Sequence, residues 1–456
     1  MVRSIDWLQP SEPSPNAINA VISAARSANV EFVHLQFTDI PGGLKSLSIP
    51  IGRLADSLAT GVWFDGSSVE GLARIAESDL YLRPDPATFA VMPWERPTTA
   101  RIVCDLVTPD GQPFLADPRF VLKRSMAAAA EKGLDYRVGA EVEFYLFEEP
   151  TASQNGTKHG VKPADTRSYF ELAGGRAATV CQEAVRALQS FGYRVTSTHH
   201  EVSPGQFEID LAADDALRTA DAIVALKLVL RILASRAGLL PTFMPKPRED
   251  SSGSGVHLEQ ELRDQSHSQN TLVDATAEYQ LSPMTQHFVA GQLAHARGMC
   301  AVLAPLVNSY KRLIGGDEAP SRVSWAHLNR GAFIRIPLIA ADTGLVEVRA
   351  ADPSCNPYLA LAVLLASGLD GIDNQTPLPA PDDQDHGEDA SIVYATTDLL
   401  PSTLGEALEE LEWDMVVRST LGQPVFERLL AEKEREWLAY RHHISDWEID
   451  SYLERA

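Results

Sequence analysis

The stretch Gly139–Phe147 places two carboxylates on one side of a predicted strand. It reads Gly-Ala-Glu-Val-Glu-Phe-Tyr-Leu-Phe. Side chains alternate between the faces of a strand, so Glu141 and Glu143 share one face and apolar side chains occupy the other. Carboxylates about 7 Å apart repel each other and raise each other's pKa unless a cation lies nearby. The pattern predicts a site for Mg²⁺ or Mn²⁺; the alternative is an edge strand with two solvated glutamates.

The composition excludes several other classes of function. The chain has 456 residues, which predicts two domains, and its 39 basic and 62 acidic residues give a formal net charge of -23. That charge argues against nucleic acid or an anionic membrane as a partner. The cysteines form no CxxC pair and no run of 18 apolar residues occurs. We therefore expect a soluble, cytoplasmic protein without a disulfide framework.

Capping and turn residues predict a small β-rich domain followed by a larger α+β domain. Ser14-Pro15 predicts the start of a helix that ends near Ser27, and Pro41-Gly42-Gly43 predicts a β-hairpin. Asp117-Pro118 predicts the first helix of the second unit. The predicted divisions are an N-terminal segment and helix over 1–27, a small domain over 28–112 and a large domain over 113–456.

Long helices are expected in the large domain, without the regular β-α-β alternation of a doubly wound sheet. They are predicted at about 174–191, 215–237, 281–304, 357–371, 404–415 and 424–440. Gly253-Ser254-Gly255 lacks the lysine of a phosphate-binding P-loop. ATP, if it is a substrate, is therefore bound in another way.

Two further segments bring carboxylates and an imidazole to the predicted metal site. In the segment His199–Glu208, Pro204-Gly205 predicts a turn that brings Glu201 and Glu208 together. Gly253-Ser254-Gly255 precedes His257, so a flexible loop delivers one imidazole, although a single histidine after glycines is more often structural.

Arginines accompany these carboxylates in the last third of the chain. Arg312, Arg330 and Arg335 follow or flank glycines, and Glu347 and Arg349 share one face of a predicted strand. A guanidinium group binds carboxylate or phosphate through two hydrogen bonds, so these arginines are candidates for binding an anion. The alternative is that they form surface salt bridges. Five carboxylates, one histidine and these arginines suit two divalent ions and a phosphorylated or dicarboxylate substrate.

The chain resembles the type I glutamine synthetases of bacteria and archaea over nearly its whole length. The matching stretches are Phe64–Ser68, Glu77–Asp79, Gly139–Phe147, His199–Asp210, Thr242–Pro247, Gly253–His257, Asn308–Leu313, Glu318–Pro320, Asn329-Arg330, Ile334–Pro337, Glu347–Arg349, Asp352-Pro353 and Asn356–Leu359. The resemblance implies an N-terminal β-grasp domain, a C-terminal catalytic α/β domain and a homododecamer of two stacked hexameric rings, with sites shared between subunits.

The resemblance also implies a role for individual residues. One metal would be held by Glu143, Glu201 and Glu208, and the other by Glu141, His257 and Glu347. Glutamate would contact Gly253, Arg312 and Arg349, and the transferred phosphate would face Arg330 and Arg335. The ammonium pocket would comprise Asp65, Ser68, Asp79, Tyr169 and Glu201. Glu318 would lie on a flap that shields the intermediate, and the ATP side would include Lys246, Glu259, Glu261 and Arg335.

Several positions depart from the family pattern. They are Thr196, Ser252, Glu259, Glu261, Asp317 and Leu345, most of them on the nucleotide side. Additional carboxylates beside a polyphosphate are unfavourable. Three hypotheses follow: an ATP-dependent glutamate–ammonia ligase first; a γ-glutamyl ligase for an alkylamine, polyamine or arylamine second; and a weakly active ring with a binding or regulatory role third.

Overall fold

The computed structural model describes residues 13–69, 79–149, 162–172, 174–265, 274, 276–277, 281–314, 319–337, 345–383 and 398–455. Its helices are α1 (Pro15–Ser27), α2 (Leu54–Thr60), α3 (Pro118–Glu131), α4 (Gly175–Ser190), α5 (Ala216–Arg236), α6 (Pro283–Ala294), α7 (Ala296–Leu303), α8 (Ser309–Leu313), α9 (Pro357–Asn374), α10 (Leu404–Trp413), α11 (Met415–Leu421), α12 (Gln423–His442) and α13 (Asp446–Tyr452). Within these ranges, no helix has the length and apolar character needed to cross a bilayer.

The strands form two sheets. They are β1 (Phe32–Thr38), β2 (Leu44–Pro50), β3 (Val62–Asp65), β4 (Asp79–Pro84), β5 (Ala90–Val91), β6 (Thr99–Val107), β7 (Leu134–Glu148), β8 (Val195–His200), β9 (Gln206–Asp215), β10 (Leu239–Thr242), β11 (Val256–Asp264), β12 (Trp325–Ala326), β13 (Ile334–Arg335) and β14 (Val346–Val348). The first sheet has the order β2-β1-β6-β4-β3, with β5 on β6, and the second has the order β12-β13-β14-β11-β7-β9-β8, with β10 on β7.

The hairpin between β1 and β2 is built as predicted. Gly42 has a φ of 91°, which a residue with a Cβ rarely adopts. Asp39 accepts a hydrogen bond from the backbone N–H of Gly43, and a Cβ on Gly43 would come within 2.9 Å of the same carboxylate. The turn therefore depends on both glycines.

Strand β7 lies at the centre of the second sheet and has two different faces. Val142 and Phe144 are fully buried, whereas Glu141 and Glu143 are partly exposed on the opposite face. Helices α3 and α5 pack on this strand. The alternation predicted for Gly139–Phe147 is confirmed.

The prediction of a single helix over 281–304 is wrong, because the structure has two helices there, α6 and α7, which are divided at His295. The His295 ring contacts Asp414 through Nδ1 at 2.8 Å and Asp370 through Nε2 at 3.2 Å. A Cβ on Gly298 would come within 2.5 Å of Asp414, so α7 lies unusually close to that carboxylate. These contacts link elements far apart in sequence, which local helix propensity does not register.

A buried guanidinium group links the first sheet to a helix that packs on the second sheet. Arg119, at the start of α3, contacts Asp85 and Asp105 beside the first sheet at 2.8 and 2.6 Å and Asp221 of α5 at 3.1 Å. The Tyr358 hydroxyl donates to Asp221 at 2.7 Å. Because removing one member of a buried ion pair leaves uncompensated charge, this cluster holds the first sheet against α3, α5 and α9.

Candidate active site

Neighbouring strands of the second sheet present acidic side chains to one another on one face. In the register, Glu141 of β7 lies opposite His257 of β11, and Glu143 lies opposite Glu208 of β9. Glu347 of β14 lies opposite Glu259. Residues far apart in the sequence thus meet because β14, β11, β7 and β9 are adjacent.

The first cluster contains Glu141, His257 and Glu347. His257 Nδ1 lies 2.8 Å from Glu141 Oε2 and 3.7 Å from Glu347 Oε1. One ligand atom from each residue lies within 4.8 Å of the others, a spacing that allows a single ion to contact all of them. The structure therefore brings together the three side chains to which the family resemblance gives one metal.

A second cluster is centred on Glu208. It groups with Glu143 and His257 on one side and with His199 and Glu201 on the other, each set within 4.8 Å. The predicted set of Glu143, Glu201 and Glu208 is therefore arranged around Glu208, which belongs to both groups.

His199 was not predicted as a site residue. Its Nε2 lies 3.1 Å from Glu208 Oε1 and its Nδ1 lies 3.4 Å from Glu201 Oε1. The rings of Tyr169 and Phe170 meet its ring edge-on at 5.8 and 4.7 Å. The missed signal was the register of the predicted hairpin, which pairs His199 with Glu208.

Burial makes the ionised carboxylates of these clusters unfavourable. It raises the pKa of Glu143 to about 7, raises the pKa of Glu141, and raises the pKa of Glu208 further because Glu143 and Glu141 add repulsion. Burial also holds the pKa of His257 well below its usual value, which keeps the imidazole neutral and able to bind a metal. A donor set of carboxylates with one neutral imidazole fits hard divalent ions such as Mg²⁺ or Mn²⁺.

A cleft of about 480 Å³ opens beside these clusters. Lys246, Gly253, Arg312 and Arg349 line it together with Glu143, Glu201 and His257. A Cβ on Gly253 would lie 2.7 Å from Arg312 Cγ, so the loop can cover the arginine only because it has no side chain there. Lys246 Nζ donates to the Ser251 carbonyl, which fixes the loop from its other side.

Two of the four arginines, Arg335 and Arg349, contact Glu347. Arg335 Nη1 lies 3.0 Å from Glu347 Oε2, and Arg349 Nη1 donates to Glu347 Oε1. Arg312 donates to the backbone carbonyls of Ala350 and Arg349 at 3.2 and 2.9 Å. Arg330 is exposed, and its carbonyl accepts from Arg349 Nε. Positive charge thus lies directly beside a predicted metal ligand.

Glu259 and Glu261, which depart from the family pattern on the predicted nucleotide side, have different surroundings. Glu261 is buried and accepts from Arg263 Nη2 at 2.7 Å, so its charge is compensated. Burial, with repulsion from Glu141, raises the pKa of Glu259 to about 8. A Cβ on Gly139 would lie 2.7 Å from Glu259 Oε2, so this glycine makes room for the carboxyl group. The sequence predicts that these carboxylates repel a polyphosphate. That repulsion is reduced at Glu261 by its ion pair and at Glu259 by its raised pKa.

The residues predicted to form the ammonium pocket lie in two parts of the structure, one in the first sheet and one beside His199. Asp65 accepts from Ser68 Oγ at 3.1 Å, and Asp79 lies opposite Asp65 on β4 and accepts from Trp63 Nε1 at 2.9 Å. Tyr169 is exposed beside His199. None of the described residues that line the cleft comes from the first sheet. Glu318 and Asp317 lie outside the described residues.

Comparison with known proteins assigns both parts of the chain. Residues 29–109 match the glutamine synthetase β-grasp domain model, and residues 115–452 match the glutamine synthetase catalytic domain model. The chain belongs to the glutamine synthetase family. This membership confirms the predicted fold class and the prediction of an enzyme of the ligase class.

Relatives and solved structures align over nearly full length. The chain is 41% identical to a glutamine synthetase of Halobacterium salinarum, over 96% of each chain. It is 43% identical to that of Thermus thermophilus, over 95% of this chain and 98% of the relative. The structure of apo GmaS without ligand has a TM-score of 0.85 and 32% identity, over 95% of this chain and 99% of that one, and a GmaS/ADP complex has a TM-score of 0.83 and 31% identity over the same shares.

The raised carboxylate pKa values predict that metal binding releases protons. At pH 6, Glu143 with a pKa of about 7 is mostly protonated, so Mn²⁺ must displace a proton. We expect affinity for Mn²⁺ to increase about tenfold or more between pH 6 and pH 8. Calorimetric titrations in two buffers of different ionisation enthalpy measure both the affinity and the released protons.

Glu143→Gln should reduce this pH dependence, whereas Glu183→Gln, an exposed glutamate on α4, should leave it unchanged. In the metal-free protein, stability should fall as the pH rises from 4.5, the usual value for this group, towards 7, because ionisation of Glu143 is opposed by burial. Binding that is independent of pH, with no protons released, would contradict the electrostatic description.

Proposed function

We propose that this protein forms glutamine from glutamate and ammonia, using ATP and passing through a γ-glutamyl phosphate. The observation that carries the proposal is the cluster of Glu141, His257 and Glu347 with Arg335 and Arg349, of which His257 and Arg349 line the cleft. This combination suits a reaction in which a phosphoryl group moves to a carboxylate. The glutamine synthetases among the aligned relatives support the same reaction.

Arginines of the cleft would bind and orient the anionic groups. Arg312 is buried under the glycine loop and Arg349 lies next to it, so both can meet the carboxylates of glutamate. Arg335, held by Glu347, would face the phosphoryl group being transferred. Because these guanidinium groups are already fixed by the protein, little reorganisation is required during the reaction.

Two divalent ions would fit the clusters around His257 and Glu208. They would neutralise charge on the transferring phosphoryl group. His257 and its carboxylate partners would hold one ion, and Glu143, Glu201 and Glu208 the other. His199 would support the second set, either as a ligand through Nε2 or by fixing Glu208.

A negative pocket would accept the ammonium ion and take its proton before the attack. Asp65 is exposed at the end of β3 and is held ionised by hydrogen bonds from Ser67, which lower its pKa. It belongs to the small domain, whereas the described cleft residues belong to the large one. We propose that a neighbouring subunit supplies Asp65 to this cleft in a ring-shaped oligomer.

A ligase for a different amine is the second candidate. It is favoured by Ser252, which stands in the glycine loop where the family pattern has asparagine and lines the cleft. Its N–H donates to Ser203 Oγ at 2.8 Å and its carbonyl accepts from Tyr145 at 2.7 Å, so the loop backbone is fixed while the side chain is shorter. The shorter side chain leaves more room in the cleft.

Phosphate release from ATP tests the two candidates directly. With glutamate and Mg²⁺, we expect ammonium to support turnover better than methylamine, putrescine or aniline. Asp65→Asn should raise the KM for ammonium about ten- to hundredfold and leave the KM for ATP unchanged, because it removes one charged contact. Asp56→Asn, an exposed aspartate of the same domain, is the matched control. Turnover with a larger amine but none with ammonium would favour the second candidate.

Mixed oligomers test whether two subunits share one site. Asp65→Ala and Glu347→Ala proteins should each have less than about 1% of wild-type activity, since each removes a charged group of the reaction centre. After dissociation, mixing and reassembly, part of the activity should return, because some interfaces combine an intact Asp65 with an intact Glu347. Verified mixed oligomers that stay inactive would show that both residues must come from one chain.

A further inference from the structure

A second cavity, of about 540 Å³, lies between the small domain and the large domain. Its walls come from the end of β4 and the following turn, from β6, and from α3 and the start of β7. The volume lies in the range of about 300–1,000 Å³ that is usual for small-molecule sites, which often occur between domains. No described residue lines both this cavity and the catalytic cleft.

The carboxylates that line the cavity already have partners. Asp85 and Asp105 contact Arg119, and Asp105 also accepts from Lys123 Nζ at 2.6 Å. Asp117 accepts from the backbone N–H groups of Leu106 and Arg119 at 2.9 and 3.0 Å. Asp215 caps α5 by accepting from Leu217 N at 3.0 Å, and Asp135 lies 3.8 Å from Arg137. These acidic groups therefore do not require a cationic ligand.

Arg83 is different. Its Nε and Nη1 atoms are buried and have no hydrogen-bond partner among the described residues. The side chain lines the cavity and projects from β4, where it lies opposite Asp105, whose oxygens are taken by Arg119 and Lys123. A buried N–H without an acceptor is costly, and guanidinium pairs best with a carboxylate or phosphate.

The rest of the wall favours an anion with an apolar body. Leu106, Phe120, Met126, Ala127 and Leu134 also line the cavity. Inorganic phosphate would leave this surface without contacts, whereas a carboxylate with a short hydrocarbon part would cover it and pair with Arg83. We propose that this cavity is a second binding site, distinct from the catalytic cleft, for a small carboxylate with an apolar body.

The site would contact both domains at once. Arg83 belongs to the first sheet, while Met126 and Ala127 belong to α3, and Leu134 begins the strand that carries Glu141 and Glu143. A ligand bound here stabilises the folded arrangement of the two domains, by an amount that grows with the ratio of its concentration to its Kd. The experiment therefore has a binding readout that does not depend on catalysis.

Calorimetric titration of the full-length protein with hexanoate tests the proposal. Saturating glutamate and Mn²⁺ are present, so that the arginines of the catalytic cleft are occupied. We expect hexanoate to bind with a millimolar Kd and 1-hexanol, which lacks the charge, to bind at least about tenfold more weakly. Arg83→Gln should weaken hexanoate binding by a similar factor, whereas Arg53→Gln, an exposed arginine of the same domain, should not.

A second pair of variants tests the place of binding without altering the guanidinium. Ala130 is exposed at the cavity and Ala128 is exposed on the same helix but does not line it. Ala130→Phe should obstruct the cavity and abolish hexanoate binding, and Ala128→Phe should leave it unchanged. Binding that survives both Arg83→Gln and Ala130→Phe, equal binding of hexanol, displacement by further glutamate, or no binding at all would each overturn the proposal.

Discussion

Burial of several glutamates on one face of the second sheet is the constraint on which the site depends. Glu143 and Glu208 face each other across β7 and β9, and Glu141 and Glu347 flank His257. Burial raises the pKa of Glu143 and of Glu208 because ionised carboxylates lose their hydration there. Arg335 and Arg349 pair directly with Glu347 and also attract Glu141, but burial outweighs this attraction and keeps the pKa of Glu141 raised. The remaining charge is best compensated by bound cations, which links metal binding to the formation of the site.

The fold provides this face with a rigid support. Helices α3 and α5 pack on β7, and the apolar side chains Val142 and Phe144 of this strand are fully buried, which fixes the strand that carries Glu141 and Glu143. Arg119 fixes the first sheet against the same helices through Asp85, Asp105 and Asp221. The small domain that carries Asp65 is therefore held in a defined position, which the proposed pocket shared between subunits would require.

Local sequence patterns predicted the elements well and the contacts between distant elements less well. Period-two alternation in Gly139–Phe147 and the Asp117-Pro118 cap are local signals, and the structure confirms both. The division at His295 depends on Asp370 and Asp414, which no local pattern connects to it. His199 was missed because its role arises from strand register. The pairing of Glu261 with Arg263 was missed although the two are only two residues apart, since alternation alone does not show which acidic groups are compensated.

We propose that this face holds two divalent ions next to each other. Electron paramagnetic resonance of the protein titrated with Mn²⁺ tests it, because two neighbouring Mn²⁺ ions give a spin-coupled spectrum unlike that of a single ion. We expect a coupled pair in the wild-type protein and an uncoupled single ion in Glu347→Gln, where the cluster around Glu208 is intact. One uncoupled ion in the wild-type protein, or a coupled pair that persists in Glu347→Gln, would contradict it.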